Sequence, residues 1–157
     1  MGHHEPKFIG EEHPDSDRVQ LILLAALVVV WLVDSFLLKW GTITQVPLFA
    51  RLGNSVAFIG FGAYLVQKSH KLVIEADEPG LVDWGVYSIS RHPMYLGSML
   101  FELGIATSTL SVPALLVWVV IFLEYNRFAA FEEESLLEVM GDEYKQYQSK
   151  VRRWAIF

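Results

Sequence analysis

Charged residues are almost absent from two long blocks of this sequence. Residues 19–66 and 93–131 hold six charged side chains in 87 residues, whereas the other 70 residues hold 24. A water-soluble domain averages about 25% charged residues and does not separate them over blocks of this length. The pattern therefore excludes an ordinary soluble globule and indicates an integral membrane protein with polar ends.

Each block is long enough for two membrane-spanning helices, because one span needs about 20 mainly apolar residues. The predicted spans are Val19–Leu38, Pro47–Val66, Pro93–Val112 and Pro113–Phe131. A proline suits the first turn of a helix, so Pro113 predicts a tight antiparallel hairpin of the last two spans. A bent amphipathic pair lying on the membrane is the alternative, but neither segment has a charged face.

The polar segments complete one all-α polytopic membrane domain over residues 1–157. Residues 67–92 are predicted to form a loop, with a turn at Pro79-Gly80. The tail, residues 132–157, is predicted to continue the fourth helix to a cap at Gly141 and to add a short amphipathic helix.

Lysine and arginine orient the spans, because cytoplasmic loops carry an excess of these residues. Four spans place both termini on one side of the membrane, and that side holds ten of the twelve basic residues. Lys39 and Arg51 are the other two. The termini, the 67–92 loop and the chemistry are therefore predicted to be cytoplasmic.

Other global features exclude whole classes of function. The absence of cysteine excludes a disulfide scaffold, an iron–sulfur site and a thiol nucleophile. A net charge of −6 argues against a nucleic-acid partner. The five histidines, including His3 and His4, show no metal-ligand spacing, so no metal site is predicted.

Three polar clusters lie where predicted spans begin or end. Residues 91–95 (RHPMY) open the third span, and a proline-started helix presents free N–H groups that suit a carboxylate. Residues 132–134 (EEE) follow the fourth span, and successive acids point about 100° apart, so at least one faces inward. Residues 152–153 (RR) form the third cluster. Taken alone, each basic cluster is also typical of a lipid headgroup anchor.

Together these clusters resemble a known family. The segments LVDWGVYSISRHPMYLG at 81–97 and EEESLLEVMGDEYKQYQSKVRR at 132–153 are similar to the isoprenylcysteine carboxyl methyltransferase and phospholipid methyltransferase group of membrane enzymes. The first two spans carry no comparable signature. The matching positions are Leu81, Val82, Gly85, Tyr87, Arg91, His92, Pro93, Tyr95, Glu132, Glu133, Gly141, Tyr144 and Tyr147.

The resemblance implies S-adenosylmethionine as cofactor, S-adenosylhomocysteine as product, and no metal. The start of the third helix with His92 suits the cofactor's carboxylate, and Glu132 or Glu133 suits its ammonium or sulfonium. Tyr87 or Tyr95 suits its adenine or sulfur. A glycine-rich nucleotide loop is absent, which excludes a soluble Rossmann-type methyltransferase. The implied cofactor-binding residues are Leu81, Gly85, Tyr87, Arg91, His92, Pro93, Met94, Tyr95, Glu132 and Glu133.

The acceptor decides what else the reaction needs beyond alignment and exclusion of water. A carboxylate is already nucleophilic and needs only a cation, for which Arg153, Arg127 or Arg91 is suited. An amine must lose a proton and needs a general base, and Glu102 and Glu124 are the acids inside the last two spans. The candidate catalytic residues are Glu132, Arg127, Arg153 and Glu102.

Two positions depart from the family pattern. Relatives carry an arginine four residues before the first glutamate of the pair, where this chain has Phe128, with Arg127 one residue earlier. A shift of one residue rotates a helical side chain by about 100°, which puts the family role of Arg127 in question. Arg152 stands where relatives have a proline.

The acids inside the spans also have structural interpretations. Glu124 is expected to pair with Arg127 one turn away, and Asp34 to make a polar contact between helices or to lie near the outer interface. The alternative for Glu102 is an ion pair with Arg127 or a hydrogen bond with Asn54 or Asn126.

The resemblance favours a carboxyl O-methyltransferase of the isoprenylcysteine type, acting on a prenylated or other lipophilic acceptor at the cytoplasmic face. Methylation of a phospholipid amine or another lipid amine is one alternative. A non-catalytic membrane subunit that retains the family fold is the other. Membrane lipids and the acceptor are the expected partners, and the oligomeric state is left open.

Overall fold

The computed structural model describes residues 13–75 and 80–155, and these residues contain helices and no strand. The all-α prediction is confirmed, whereas His3, His4 and Pro79 lie outside the described residues. The helices are α1 (Ser16–Leu32), which continues as a π-helical segment over Val33–Leu38, α2 (Leu48–Glu75), α3 (Pro93–Thr109), α4 (Val112–Met140) and α5 (Asp142–Lys150), with a short 3-10 turn at Gly85–Ser88.

Three of the described helices are long and apolar enough to cross a membrane, namely α1 with its π-helical extension, α2 and α4. The predicted third span is shorter than expected, because Leu110 takes a left-handed conformation and ends α3 at Thr109. At 1.5 Å per residue its 17 residues cover about 26 Å, less than the roughly 30 Å of a hydrocarbon core. The predicted count of four full spans is therefore not confirmed.

Two helices continue beyond their apolar spans, and only the continuation of the fourth was predicted. The second helix runs to Glu75 rather than Val66, because good helix formers follow and Lys71 pairs with Glu75 one turn later at 3.5 Å. The predicted 67–92 loop therefore begins as helix. The fourth helix continues into the tail as predicted, and Gly141 ends it with a φ of 55°.

The turn after α1 and the turn between α3 and α4 meet at one end of the bundle. Val112 N–H donates to the Gly41 carbonyl at 3.1 Å, and Asp34 accepts from the Ser111 hydroxyl at 2.6 Å and from Gly41 N–H at 2.9 Å. The polar inter-helix contact predicted for Asp34 is confirmed. Successive helices consequently run antiparallel, and α3 and α4 form the predicted hairpin.

The opposite end is formed by the start of α1, the end of α2, the start of α3 and the C-terminal part of α4; we call it the polar end.

Helices α2 and α3 pack closely along their length, because glycines of the two helices face each other. A Cβ added to Gly97 would lie 2.7 Å from the Gly62 carbonyl oxygen. The Ser55 hydroxyl donates to the Gly104 carbonyl at 2.6 Å, and such small residues are what close helix contacts in lipid require.

The C-terminal segment folds back onto α4 after α5 ends. Trp154 is buried in the main apolar cluster, which includes Met99, Ile121 and Tyr125. Its indole N–H points to the Asn126 side-chain oxygen at 3.3 Å. The tail is thus anchored against the bundle and lies beside the start of α3.

Candidate functional site

Two adjacent carboxylates of α4 enclose one histidine at the polar end. His92, directly before α3, places its Nδ1 3.3 Å from Glu132 Oε2 and its Nε2 3.1 Å from Glu133 Oε1. All three side chains are buried. Because both ring nitrogens face carboxylate oxygens, this geometry suits an imidazolium, in which both nitrogens donate.

The charge of His92 follows from a competition between burial and its partners. Burial lowers the pKa of His92, but the hydrogen bonds and negative charges of Glu132 and Glu133 more than offset it, so the pKa is raised above its ordinary value. The two carboxylates thus favour the protonated, positively charged form of the ring.

Glu133 is held by two arginines as well as by His92. Arg153 donates from Nε to Oε1 at 2.9 Å and from Nη2 to Oε2 at 2.7 Å. Arg91 donates to Oε1 from Nε at 3.1 Å and from Nη2 at 2.9 Å. Paired charge-assisted bonds of this kind fix geometry strongly. Glu133 therefore acts as the anchor of the cluster.

The same arginines fasten the C-terminal segment to the start of α3. Arg91 donates from Nη1 to the Val151 carbonyl at 2.6 Å and from its backbone N–H to the Arg152 carbonyl at 3.0 Å. The Ser90 hydroxyl donates to the Arg153 carbonyl at 2.7 Å. Tail and loop are consequently one unit around Glu133.

Glu132 points the other way, toward an open space. The Tyr95 hydroxyl donates to Glu132 Oε1, and the Tyr95 ring stacks on the His92 ring with a 5.8 Å centroid separation and a 7° interplanar angle. Two partners thus orient Glu132, which is buried and lies on the wall of a cavity.

That cavity has a volume of about 300 Å³, at the lower end of the roughly 300–1,000 Å³ typical of small-molecule sites. It lies between the C-terminal end of α2, the start of α3, the end of α4 and α5. Its wall includes most of the residues that the resemblance implied for the cofactor, namely Leu81, Tyr87, Arg91, His92, Pro93, Met94, Tyr95 and Glu132.

The remaining predicted residues do not lie on this wall. Glu133 and Arg153 pair with each other behind His92. Gly85 stands in the 3-10 turn with a φ of 63°, packed against Leu72. The structure therefore separates residues that build the cavity from residues that hold it together.

Two candidate catalytic residues lie elsewhere. Arg127 is exposed on α4 and pairs with Glu124 at 3.4 Å, which confirms the structural interpretation of Glu124. Glu102 is buried on α3 and lines a different cavity, together with Tyr125. Neither Arg127 nor Glu102 reaches the wall on which Glu132 lies.

Several cavity residues were missed as site residues. His70 and Val73 come from the part of α2 that was predicted to be loop, and the helix formers after Val66 were the signal that could have placed them. Tyr144 and Tyr147 of α5 were matched to the family pattern but given no role. Gly80, Val82, Leu136 and Met140 complete this set.

Tyr87, in the loop before α3, is held in place by Tyr147 of α5. The Tyr147 hydroxyl donates to the Tyr87 carbonyl at 2.6 Å. Burial, together with the negative charge of Glu132, raises the pKa of Tyr87 to about 12. Its hydroxyl therefore stays protonated and available as a donor.

The charge balance of the cluster is positive. The cations Arg91, Arg153 and His92 face the carboxylates Glu132 and Glu133. With three positive and two negative groups, together with the start of α3, this end of the cavity favours an anionic group, while Glu132 offers a carboxylate to a cationic one.

Comparisons with known proteins identify the family of this chain. The phospholipid methyltransferase family model matches residues 36–143, more than half of the chain, and the chain belongs to that family. A protein-S-isoprenylcysteine O-methyltransferase of Saccharomyces cerevisiae is 36% identical over 72 residues, which cover 45% of this chain and 30% of the yeast protein. The chain thus spans less than a third of that curated relative. No solved structure matches.

Proposed function

We propose that this protein transfers a methyl group from S-adenosylmethionine to a lipophilic acceptor at the polar end of the bundle. The observation that carries the proposal is Glu132, a buried carboxylate oriented by His92 and Tyr95 on the wall of a small cavity. Family membership and the name of the yeast relative support methyl transfer.

The residues present suit this cofactor, which carries a carboxylate, an ammonium, a sulfonium and an adenine. The positive start of α3 beside His92 suits the carboxylate, and Glu132 suits the ammonium or the sulfonium. The aromatic wall of Tyr87, Tyr144 and Tyr147 suits the adenine. When bound, the cofactor supplies a methyl group activated by its positively charged sulfur.

The protein's own contribution is positioning. Glu133 holds Arg91, His92 and Arg153 in place, and His92 in turn orients Glu132. The apolar helices beyond this cluster admit a lipophilic acceptor and exclude water, which is what an in-line displacement needs. The polar end carries most of the basic residues, and we place it on the cytoplasmic side.

A carboxylate is the first candidate acceptor, because the yeast relative is named an isoprenylcysteine O-methyltransferase. It needs a cation to orient it, and Arg91 is the arginine that reaches the cavity wall. A prenylated cysteine carboxylate is the form of this candidate that the relative suggests.

A lipid amine is the second candidate, and two residues favour it. Glu102 offers a buried carboxylate in the bundle. Phe128, at the position where relatives carry an arginine, is fully buried and packs against Tyr125. The bundle interior at this level is thus acidic and aromatic rather than basic.

The test uses membranes that contain the protein, methyl-labelled cofactor and organic extraction of the product. Mild base releases methanol from a methyl ester and leaves an N-methyl group intact, so base-labile label identifies the carboxylate and base-stable label the amine. Saturable binding of labelled cofactor is expected, with loss in Glu132→Gln and retention in the exposed neighbour Glu134→Gln. Absence of saturable binding in the unaltered protein would contradict the proposal and favour a non-catalytic subunit.

A further inference from the structure

A second cavity of about 530 Å³ opens on the side of the bundle between α1 and α2. Its floor is α3, and Tyr125 of α4 closes its inner side. Leu21, Leu24 and Val66 make its walls apolar, and Leu21 is 69% exposed at its rim. A groove that opens sideways between two candidate spans, with an exposed apolar rim, faces the lipid.

The floor of this lateral groove carries a buried carboxylate with one unpaired oxygen in the described part of the chain. Glu102 is 4% exposed, and its Oε2 has no hydrogen-bond partner among the described residues. Two partners expected from the sequence are engaged elsewhere: Arg127 pairs with Glu124, and the Asn126 oxygen accepts from Arg153 and Trp154.

A buried acid in a membrane helix is unfavourable unless a cation or a donor meets it. An ammonium group satisfies both needs, because it carries positive charge and three N–H donors. A second carboxylate would be repelled, and a purely apolar ligand would leave Glu102 unsatisfied. A cationic head group with N–H donors is therefore the ligand that best matches an ionised Glu102 on this floor.

The arrangement of polar and apolar residues in the lateral groove fits an amphiphile. Long side chains on a helix lean toward its N-terminus, and for Glu102 on α3 that direction is the polar end, on which side Ser98 also lines the groove. Gln20, near the start of α1, and Gln67, in the last part of α2, lie toward that same end. The apolar residues of the groove leave the rest of its surface for a hydrocarbon chain.

We propose that the lateral groove binds a lipophilic amine, with its ammonium group on Glu102 and its chain along the apolar walls. The groove adjoins the cofactor cavity through one pair of rings: Tyr125 on the groove wall meets Tyr95 on the cavity wall at a 5.2 Å centroid separation. The role of the bound amine as a methyl acceptor rests on the proposed function. The binding of the amine to the groove does not.

The experiment is photo-crosslinking in lipid nanodiscs without cofactor, with hexadecylamine that bears a diazirine on its chain. We expect label in the segments of α1 and α2 that contain Leu24 and Val66, with competition by hexadecylamine and not by hexadecanoic acid. In Glu102→Gln the label should fall about tenfold, as expected for loss of a charge-assisted bond. Glu124→Gln, an acid outside the groove, is the matched control and should label normally.

A second variant keeps the test decisive if Glu102→Gln unfolds. Ala63→Trp fills the lateral groove from the lipid-facing side of α2 and should abolish labelling with Glu102 intact. Equal labelling by the diazirine forms of hexadecylamine, hexadecanol and hexadecanoic acid overturns the proposal, as does undiminished labelling in both variants. Amine-selective label in a protein that binds no S-adenosylmethionine supports the groove and contradicts the proposed function alone.

Discussion

Arg153 grips Glu133 through both carboxylate oxygens, at 2.9 and 2.7 Å, although the two residues belong to the tail and to α4. This pair gives two neighbouring glutamates different roles. Glu133 holds the tail, the loop and α3 together, whereas Glu132 lies on the cavity wall. One carboxylate is structural, and the one beside it lies on the wall of the cavity in which we propose that the cofactor binds.

Substitution of the three consecutive glutamates should therefore give three different results. Glu133→Gln removes the charge that two arginines and a histidine share, and breaking a buried ionic cluster of this kind costs about 3 kcal/mol or more. Glu132→Gln should leave the unfolding temperature closer to that of the unaltered protein but abolish cofactor binding. Glu134→Gln, which is exposed, is the control. Thermal unfolding and labelled-cofactor binding on the same preparations measure both effects, and equal destabilisation by Glu132→Gln and Glu133→Gln would contradict this division.

Stability should also depend on pH through His92. Its folded-state pKa is raised by Glu132 and Glu133, so this contribution is fully present below the unfolded pKa of about 6.5 and is lost as pH rises through the folded pKa. We expect the unfolding temperature to fall from pH 6 toward pH 9, and His92→Gln to flatten that slope. His70→Gln, which also changes a histidine of the cavity wall, should retain it. An unchanged slope in His92→Gln would assign the pH dependence to other groups.

The sequence was sufficient to bring the right segments together, but not to assign every residue. The residues directly before α3 and the glutamates of α4 do meet, as the family resemblance implied. Which glutamate faces the cavity depends on the rotation of α4 about its axis, and contacts that are distant in sequence set that rotation, such as Arg153 with Asn126 at 3.0 Å. Hydropathy also could not show that α2 continues past Val66 and brings His70 to the site.

Arg127 shows how a shift of one position along a helix changes the role of a side chain. The same rotation of α4 that buries Phe128 places Arg127 on the exposed side with Glu124. An exposed pair is worth about 0–1 kcal/mol, so Arg127→Ala should change neither unfolding nor cofactor binding appreciably. Arg153→Ala, which uncovers Glu133, should impair both. Loss of methyl transfer in Arg127→Ala with cofactor binding intact would restore the acceptor-orienting role predicted for this residue.

Changes at the end of the bundle remote from the site should affect stability without affecting cofactor binding. Asp34 joins two turns through Ser111 and Gly41, and a buried group left without its partner costs about 1–3 kcal/mol. Asp34→Ala should therefore lower the unfolding temperature and leave the affinity for labelled cofactor unchanged in the folded fraction. Ser111→Ala, which removes one donor and leaves the Gly41 bond, should have a smaller effect. A change in cofactor affinity in either variant would show that the two ends are coupled.

The contact between α2 and α3 should in turn control the site, because α3 begins with the residues of the cavity. An alanine at position 97 puts its Cβ against the Gly62 carbonyl, and overpacking of this kind costs about 1–3 kcal/mol. Since α3 can relieve the clash only by moving away from α2, Gly97→Ala should weaken cofactor binding as well as lower the unfolding temperature. Gly53→Ala, where a Cβ meets nothing within 4 Å, should instead be neutral or stabilise the helix by up to about 1 kcal/mol. Equal cofactor affinity in the two variants would mean that the position of α3 does not set the geometry of the site.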